Sequence, residues 1–342
     1  MRRVMAAILV TVTALSAGCS SSGVASRDPG KVVMPITRVA VPGRLYATKA
    51  RTLYRFSGTR LTAMLSGIKA KDPAVTPDGN RLAVAQLNAQ SSTILLGDAL
   101  GQNRHTLTPS SAAEGPLWAF APALSSDGQR CLYLTDRGKQ PSSPQNLRPN
   151  DLGIWIMDTA SGQSRRIVAP TAYTGGDSDP VFRPGAADQL LYTTYLYGGT
   201  PLQPVARLSW HSMRTGAHVY LSPDQARNFQ PAISPDGRFV AFVHATAAGD
   251  DLEVMPLAPA YNRDPQPYPT DAAVLLESGM VSEPVWAPDS SAIAFLKLVN
   301  GSFDLFILPV SSSGPAVRAT RPAEAVTHGS FLDADSRLAW SA

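Results

Sequence analysis

The chain has 342 residues, 44% hydrophobic and 16% charged, which excludes a disordered polymer and leaves either two domains or one large closed β architecture. Its 29 prolines and 26 glycines argue against a helical bundle, and two cysteines exclude a disulfide scaffold and a thiolate-built zinc site. The formal charge of +4 falls to +2 without Arg2 and Arg3, and no basic block occurs, so no nucleic-acid partner is expected.

The chain opens on an address. Arg2 and Arg3 form a positive start, and Val4 to Ala14 is apolar but too short to span a bilayer comfortably. Leu15-Ser16-Ala17-Gly18-Cys19 then sets small residues directly before a cysteine. This segment resembles the signal of bacterial lipoproteins. The resemblance implies that residues 1–18 are removed and that Cys19 receives a diacylglycerol. The leucine stands four residues before the cysteine, where three is commoner, and an ordinary secretory signal is the alternative. Residues 19–43 begin SSSGVASRDPG after the cysteine and read as a flexible tether. The expected product is a soluble, monomeric body on a lipid leash, membrane-bound through Cys19, outside the cytoplasm in the cell envelope. Cys131, within an apolar run, reads as a buried thiol without a catalytic role.

A repeat fills residues 44–342. It appears as DPAVTPDGNRLAVAQ from Asp72, APALSSDGQRCLYLTD from Ala121 and DPVFRPGAADQLLYTTY from Asp179. It returns as QPAISPDGRFVAFVH from Gln230, EPVWAPDSSAIAFLK from Glu283 and a worn HGSFLDADSRLAW from His328. Pro73, Pro122, Pro180, Pro231, Pro284 and Gly329 mark the register, at spacings of 49, 58, 51, 53 and 45 residues. Short apolar runs of period two are strands. Pro-Asp-Gly between two of them is a tight turn: Pro presets φ, Asp bonds the backbone ahead, and Gly takes a positive φ. A second hairpin follows each pair, as in Ile154–Asp158 and Ser164–Val168. Four antiparallel strands in about fifty residues make one propeller blade.

Such blades close into a ring, because an open tandem would expose a strand edge. The last repeat stops at Ala342 after two strands, and Thr52–Leu65 is a hairpin without an inner pair. Strands from both termini are therefore expected to share one blade. The predicted fold is all-β, a six-bladed propeller of four-stranded antiparallel blades. Leu45–Thr48 is a surplus strand in this count and leaves seven blades as the alternative.

The Ser-Pro-Asp-Gly repeat resembles the TolB-type, WD-like β-propeller family over residues 44–342. That resemblance implies a bacterial envelope protein. TolB itself carries an extra N-terminal α/β domain and binds proteins of the Tol–Pal system. There is no room for that domain between Cys19 and Arg44, which leaves a link to that system open.

The search for chemistry is mostly negative. The sequence holds no G-x-S-x-G elbow of the kind a propeller-linked hydrolase needs. His105, His211, His218, His244 and His328 form no H-x-H or H-E-x-x-H, although His211 and His218 flank one predicted hairpin. Asp177-Ser178-Asp179 and Asp333-Ala334-Asp335 begin like calcium loops but lack the rest of that motif. Asp72, Asp179, Gln230 and Glu283, each before a repeat proline, read as loop-ordering groups, and Asp78, Asp127, Asp236 and Asp289 as turn residues. No cofactor, metal or catalytic residue is assigned.

Loops gather at the two faces of a propeller and carry its function. The loops entering the innermost strands offer Trp118, Phe120, Tyr173, Arg227, Phe229 and His328 as candidate partner-binding residues. Arg137–Asp151 and Tyr195–Arg207 are two long loops expected on the same face. The expected function is non-catalytic binding of an envelope protein or peptide. The alternative is a propeller enzyme acting on a saccharide or peptide with carboxylates at the channel mouth. Two or more channel carboxylates with raised pKa values would mark the enzyme, and an aromatic and arginine rim without them the binding module.

Overall fold

The Pro-Asp-Gly turns form as their chemistry requires. At Ser234–Gly237 the Gly237 amide donates to the Ser234 carbonyl at 2.7 Å, and Gly237 has φ +71°. Asp236 accepts the Arg238 amide at 3.1 Å and the Ser234 hydroxyl at 2.5 Å. The Ser234 hydroxyl accepts the Phe239 amide at 3.0 Å, so the serine locks both ends of the turn. Thr76–Gly79 and Ser125–Gly128 repeat the arrangement. Hydrogen bonds from Thr76 and Ser125 hold the Asp78 and Asp127 carboxyls below the usual range. Gly237→Val places a β-branched residue at positive φ with no neighbour nearer than Pro184 O at 3.5 Å. The expected loss is more than ~1 kcal/mol in denaturant unfolding, from backbone strain alone. An unchanged midpoint would mean the turn tolerates β-branching.

The structure is a computed structural model that describes residues 39–139, 152–170, 176–198, 203–257, 273–314 and 316–342. These residues form strands and turns with no helix. Blade 1 holds Ala70–Val75, Arg81–Leu87, Ser92–Asp98 and His105–Thr106, in chain order from the innermost strand. Blade 2 holds Ala119–Leu124, Arg130–Thr135, Gly153–Asp158 and Ser164–Val168. Blade 3 holds Gly176–Arg183, Ala186–Gly198, Gln203–Ser212 and His218–Tyr220. Blade 4 holds Asn228–Ile233, Phe239–Ala245, Asp250–Pro256 and Val274–Glu277. Blade 5 holds Val281–Trp286, Ala292–Val299, Ser302–Ser313 and Ala316–Ala319.

Blade 6 closes the ring with both termini. Its order is Ala339–Ser341, Val41–Lys49, Thr52–Gly58 and Arg60–Met64. The division differs from the expected one. The C-terminus gives one strand instead of two, and Leu45–Thr48 is the blade's second strand instead of a surplus one. The sixth repeat also begins later than His328–Gly329. The equivalent of Glu283 is Arg337, 54 residues on, since Trp340 pairs with Leu45 as Trp286 pairs with Ile293. The segment from Thr327 to Ser336 instead bonds along the neighbouring turns, with Leu332 donating to Phe303 O and Asp333 to Thr48 O.

Every inner strand of blades 1–5 carries a bulge at the same place. Asp72, Ala121, Asp179, Gln230 and Glu283 all have positive φ, between +47° and +55°, and each precedes the repeat proline. The register shifts there in all five strands. The bulge takes the proline out of the ladder, where its missing N–H would otherwise cost a bond.

Both faces of each blade are buried, which is why second strands such as Phe239–Ala245 open on a continuous apolar run, here Phe239 to Val243, instead of alternating. The buried side chains fall into six clusters, one at each seam between neighbouring blades. Cys131 lies in the seam between blades 1 and 2, fully buried, and burial pushes its thiol up to about 12.

Candidate functional site

The up-and-down order of each blade puts the loop entering its first strand beside the turn between its second and third strands. Backbone bonds tie the two sets together: Ala70 N–H to Arg51 O, Ser92 N–H to Leu117 O, Ala245 N–H to Arg227 O and Leu298 N–H to Met280 O. This loop face is the candidate interface.

Trp118 and Phe120 stack with ring centroids 5.7 Å apart. The Trp118 amide donates to Asp136 at 2.8 Å, and the buried Asp136 pairs with Lys139 at 2.7 Å. Phe120 is a strand residue that packs into the seams on both sides of blade 2. Arg227 is exposed, while Phe229 is a half-buried strand residue opposite Val243. His328 is exposed on the closing segment. Tyr173 and Cys19 lie outside the described residues, as do residues 140–151 of the first long loop. The second long loop is largely strand, because Tyr195 pairs with Ala206 and Gly198 with Gln203.

Apolar side chains that the repeat pattern does not mark also stand on this face. Among the described residues, the exposed large hydrophobics include Tyr197, Met280, Val299 and Phe331, all on this face. Leu100, Val274 and Leu275 lie elsewhere. No periodicity marks these four, since Met280 and Phe331 lie outside the blade strands and Tyr197 and Val299 stand at strand ends.

The bulge residues meet in the channel, and here the ordering role expected of them is visible. The Ala121 and Arg337 amides donate to the Asp72 carboxylate at 3.1 and 3.2 Å. The Asp72 amide donates to Ser336 Oγ at 2.9 Å, and the Glu283 amide to Gln230 Oε1 at 2.9 Å. Gln230 Nε2 returns a bond to Glu283 Oε1 at 2.8 Å. These bonds tie blade 6 to blade 1, blade 1 to blade 2 and blade 4 to blade 5. Ala121 has no side chain to offer, and Arg337 fills its place, donating to Ala121 O, Pro122 O and Pro180 O at 3.5, 3.4 and 3.1 Å. Its Nε lies 3.7 Å from Asp179.

Burial, reinforced by the Asp179 and Asp72 charges, raises the Glu283 carboxyl well above the usual range. Burial also raises Asp72, against the opposing charges of Lys71 and Arg337. Asp335 behaves oppositely: burial pushes it up, but the Arg51 hydrogen bond and the Lys71 and Arg51 charges outweigh burial and hold it low. Arg337→Met would keep the aliphatic stem and remove one of the two cations, with Lys71, whose charges oppose those of Asp72 and Glu283. The expected loss is about 3 kcal/mol at pH 8 and smaller as the pH is lowered, because Asp72 and Glu283 have raised carboxyls and shed the charge that Arg337 balances, read by urea unfolding across the pH range.

The other motifs resolve structurally. Asp333 accepts the amides of Ala50 and Arg51, both at 2.9 Å, so it caps a turn. His211 faces His218 across adjacent strands, and no group of three metal-ligating side chains occurs among the described residues.

No protein-family model and no curated protein matches the sequence. Solved structures match the fold. TolB from Acinetobacter baumannii aligns with a TM-score of 0.62 at 18% identity, over 87% of this chain and 66% of that one. A putative TolB from Agrobacterium tumefaciens aligns at 0.55 with 13% identity, over 87% of this chain and 92% of that one. An oligogalacturonate lyase in complex with manganese aligns at 0.50 with 14% identity, over 85% and 75%. The chain has the TolB-type six-bladed β-propeller fold. Identities this low carry the fold alone, and the three proteins show how differently one fold is used.

Proposed function

We propose that this protein is a non-catalytic, monomeric envelope protein, held to a membrane by a lipid on Cys19, that binds a protein or peptide on its loop face. One observation carries the reading: Tyr197, Met280, Val299 and Phe331 hold apolar surface in water on the face where Arg227 and His328 are also exposed. Apolar anchors ringed by polar groups are the composition of an interface. The likeness to TolB supports the same reading. A photo-crosslinking residue at Phe331 or Met280 is expected to capture one partner in intact envelopes, and the same residue at Leu100 none. Equal capture at both positions, or none at either, would overturn the reading. Cys19→Ala is expected to move the protein out of the detergent phase on partitioning.

The channel favours a second reading, an enzyme acting on a saccharide or peptide, because Asp72 and Glu283 converge there with raised pKa values. The binding reading stands ahead because their oxygens hold backbone and neighbouring side chains and both residues are buried. Turnover of oligosaccharides or peptides that is lost in Glu283→Gln, with folding intact, would reverse that order.

A further inference from the structure

A cleft of about 370 Å³ lies between the outermost strand of blade 2 and the face of blade 3, whose four strands all line it, apart from the loop-face residues described above. Asp177 lines it and is buried. One carboxylate oxygen, Oδ1, accepts the Thr194 hydroxyl at 2.9 Å, and Thr194 is bonded in turn to Ser209 at 2.7 Å. The other, Oδ2, is buried in the cleft wall and has no hydrogen-bond partner. An orphaned buried carboxylate oxygen is costly, and the fold gains nothing from it.

The rest of the cleft supplies what a cation needs. Tyr192, His218 and Tyr220 form a ring cluster, with centroid separations of 6.2 Å and 4.8 Å. That cluster already takes a cation: the Arg207 guanidinium lies 3.9 Å from the Tyr220 ring centroid. Arg207 leaves Asp177 unpaired, because its guanidinium donates to Ser222 O at 2.7 Å and meets Asp224 at 2.9 Å. Ile167 and Val168 add an apolar wall. Burial pushes His211 and His218 below the usual imidazole range, with Arg207 adding to the shift at His218, so neither brings positive charge at neutral pH.

We propose that this cleft binds an organic cation, a primary ammonium or guanidinium group, through Asp177 Oδ2 and the Tyr192–His218–Tyr220 rings. The charge meets the carboxylate and the ring faces, and an alkyl stem lies along Ile167 and Val168. The volume suits one such side chain or a small free amine. The reading is independent of the loop-face interface and stands or falls separately.

The test is titration of the purified protein at pH 7.5, following the His211 and His218 imidazole protons by NMR. The probes are n-butylammonium, n-butylguanidinium and a capped Gly-Lys-Gly peptide, with 1-pentanol and a norleucine peptide as neutral controls. Saturable shifts with the cations and none with the neutral probes are expected. Asp177→Asn should weaken binding at least tenfold, and Asp289→Asn, a turn carboxylate elsewhere, should not. Tighter binding of the peptide than of butylammonium assigns the source to a partner segment, and equal binding to a free amine. No saturable shift, equal binding by Asp177→Asn, or displacement of the cations by micromolar Mn²⁺ or Zn²⁺ would overturn the proposal.

Discussion

A chain ending at Ser336 is expected to lose cooperative unfolding altogether. The cut removes Arg337, the only cation within hydrogen-bonding distance of the channel carbonyls of Pro122 and Pro180 among the described residues. It also removes the innermost strand of blade 6, whose ladder runs from Arg44 to Tyr46. Trp340 is buried in the seam between blades 5 and 6, and its Nε1 donates to Pro42 O at 2.7 Å. Losing a buried Trp alone costs about 3–5 kcal/mol. Adding the uncompensated channel acids and an open strand edge reaches the whole stability of a typical domain, about 5–15 kcal/mol. Deleting residues 20–66 removes the other three strands of the same blade and is expected to be as damaging. Thermal midpoints and oligomeric states of both truncations check this. A monomer lacking residues 20–66 that melts like the intact protein would rule out the shared blade.

Asp177→Asn is expected to stabilise the protein, and only above about pH 4. Burial lifts the folded-state carboxyl to about 7, against the Thr194 hydrogen bond, from an ordinary value of 3.8. Below pH 4 the acid is neutral in both folded and unfolded chains and costs nothing. Between pH 4 and 7 the unfolded chain releases its proton first, so wild-type stability falls as pH rises. Above 7 the penalty is complete, about 4 kcal/mol for three pKa units. Facing groups are Tyr192, Thr194, Ser209, His211, His218 and Tyr220, with Arg207 beyond the rings. His211 and His218 have lowered values and act in the opposite sense, but they are present in both proteins. The difference in unfolding free energy between variant and wild type at pH 4 and pH 8 is the measurement. A difference independent of pH would mean Asp177 is solvated. A carboxylate kept where asparagine would be more stable is what a ligand site looks like.

Some of this was written locally. Asp236 sits two residues before the amide it accepts, and Gly237 is where positive φ falls, so the turn is contained in four consecutive residues. The same economy made the channel ring half legible. The polar residue before four of the five repeat prolines points to a bonding role, but its partner can lie a whole blade away, as with Gln230 and Glu283. Blade topology puts the candidate residues Trp118, Arg227 and His328 on the loop face. Phe120 and Phe229 fall in strands, because a bulged inner strand begins earlier than its apolar run suggests.

The sequence by itself determined the blade: its period, its turns and the need to close a ring, all set by φ preferences and short-range hydrogen bonds. Only the tertiary structure decided how the ring closes, because strands from opposite ends have no connecting turn to fix their register. It also decided that Arg337 fills the gap left by Ala121, and that Asp177 faces an aromatic cleft walled by another blade. Those pairings depend on distances across seams, which no spacing along one chain encodes.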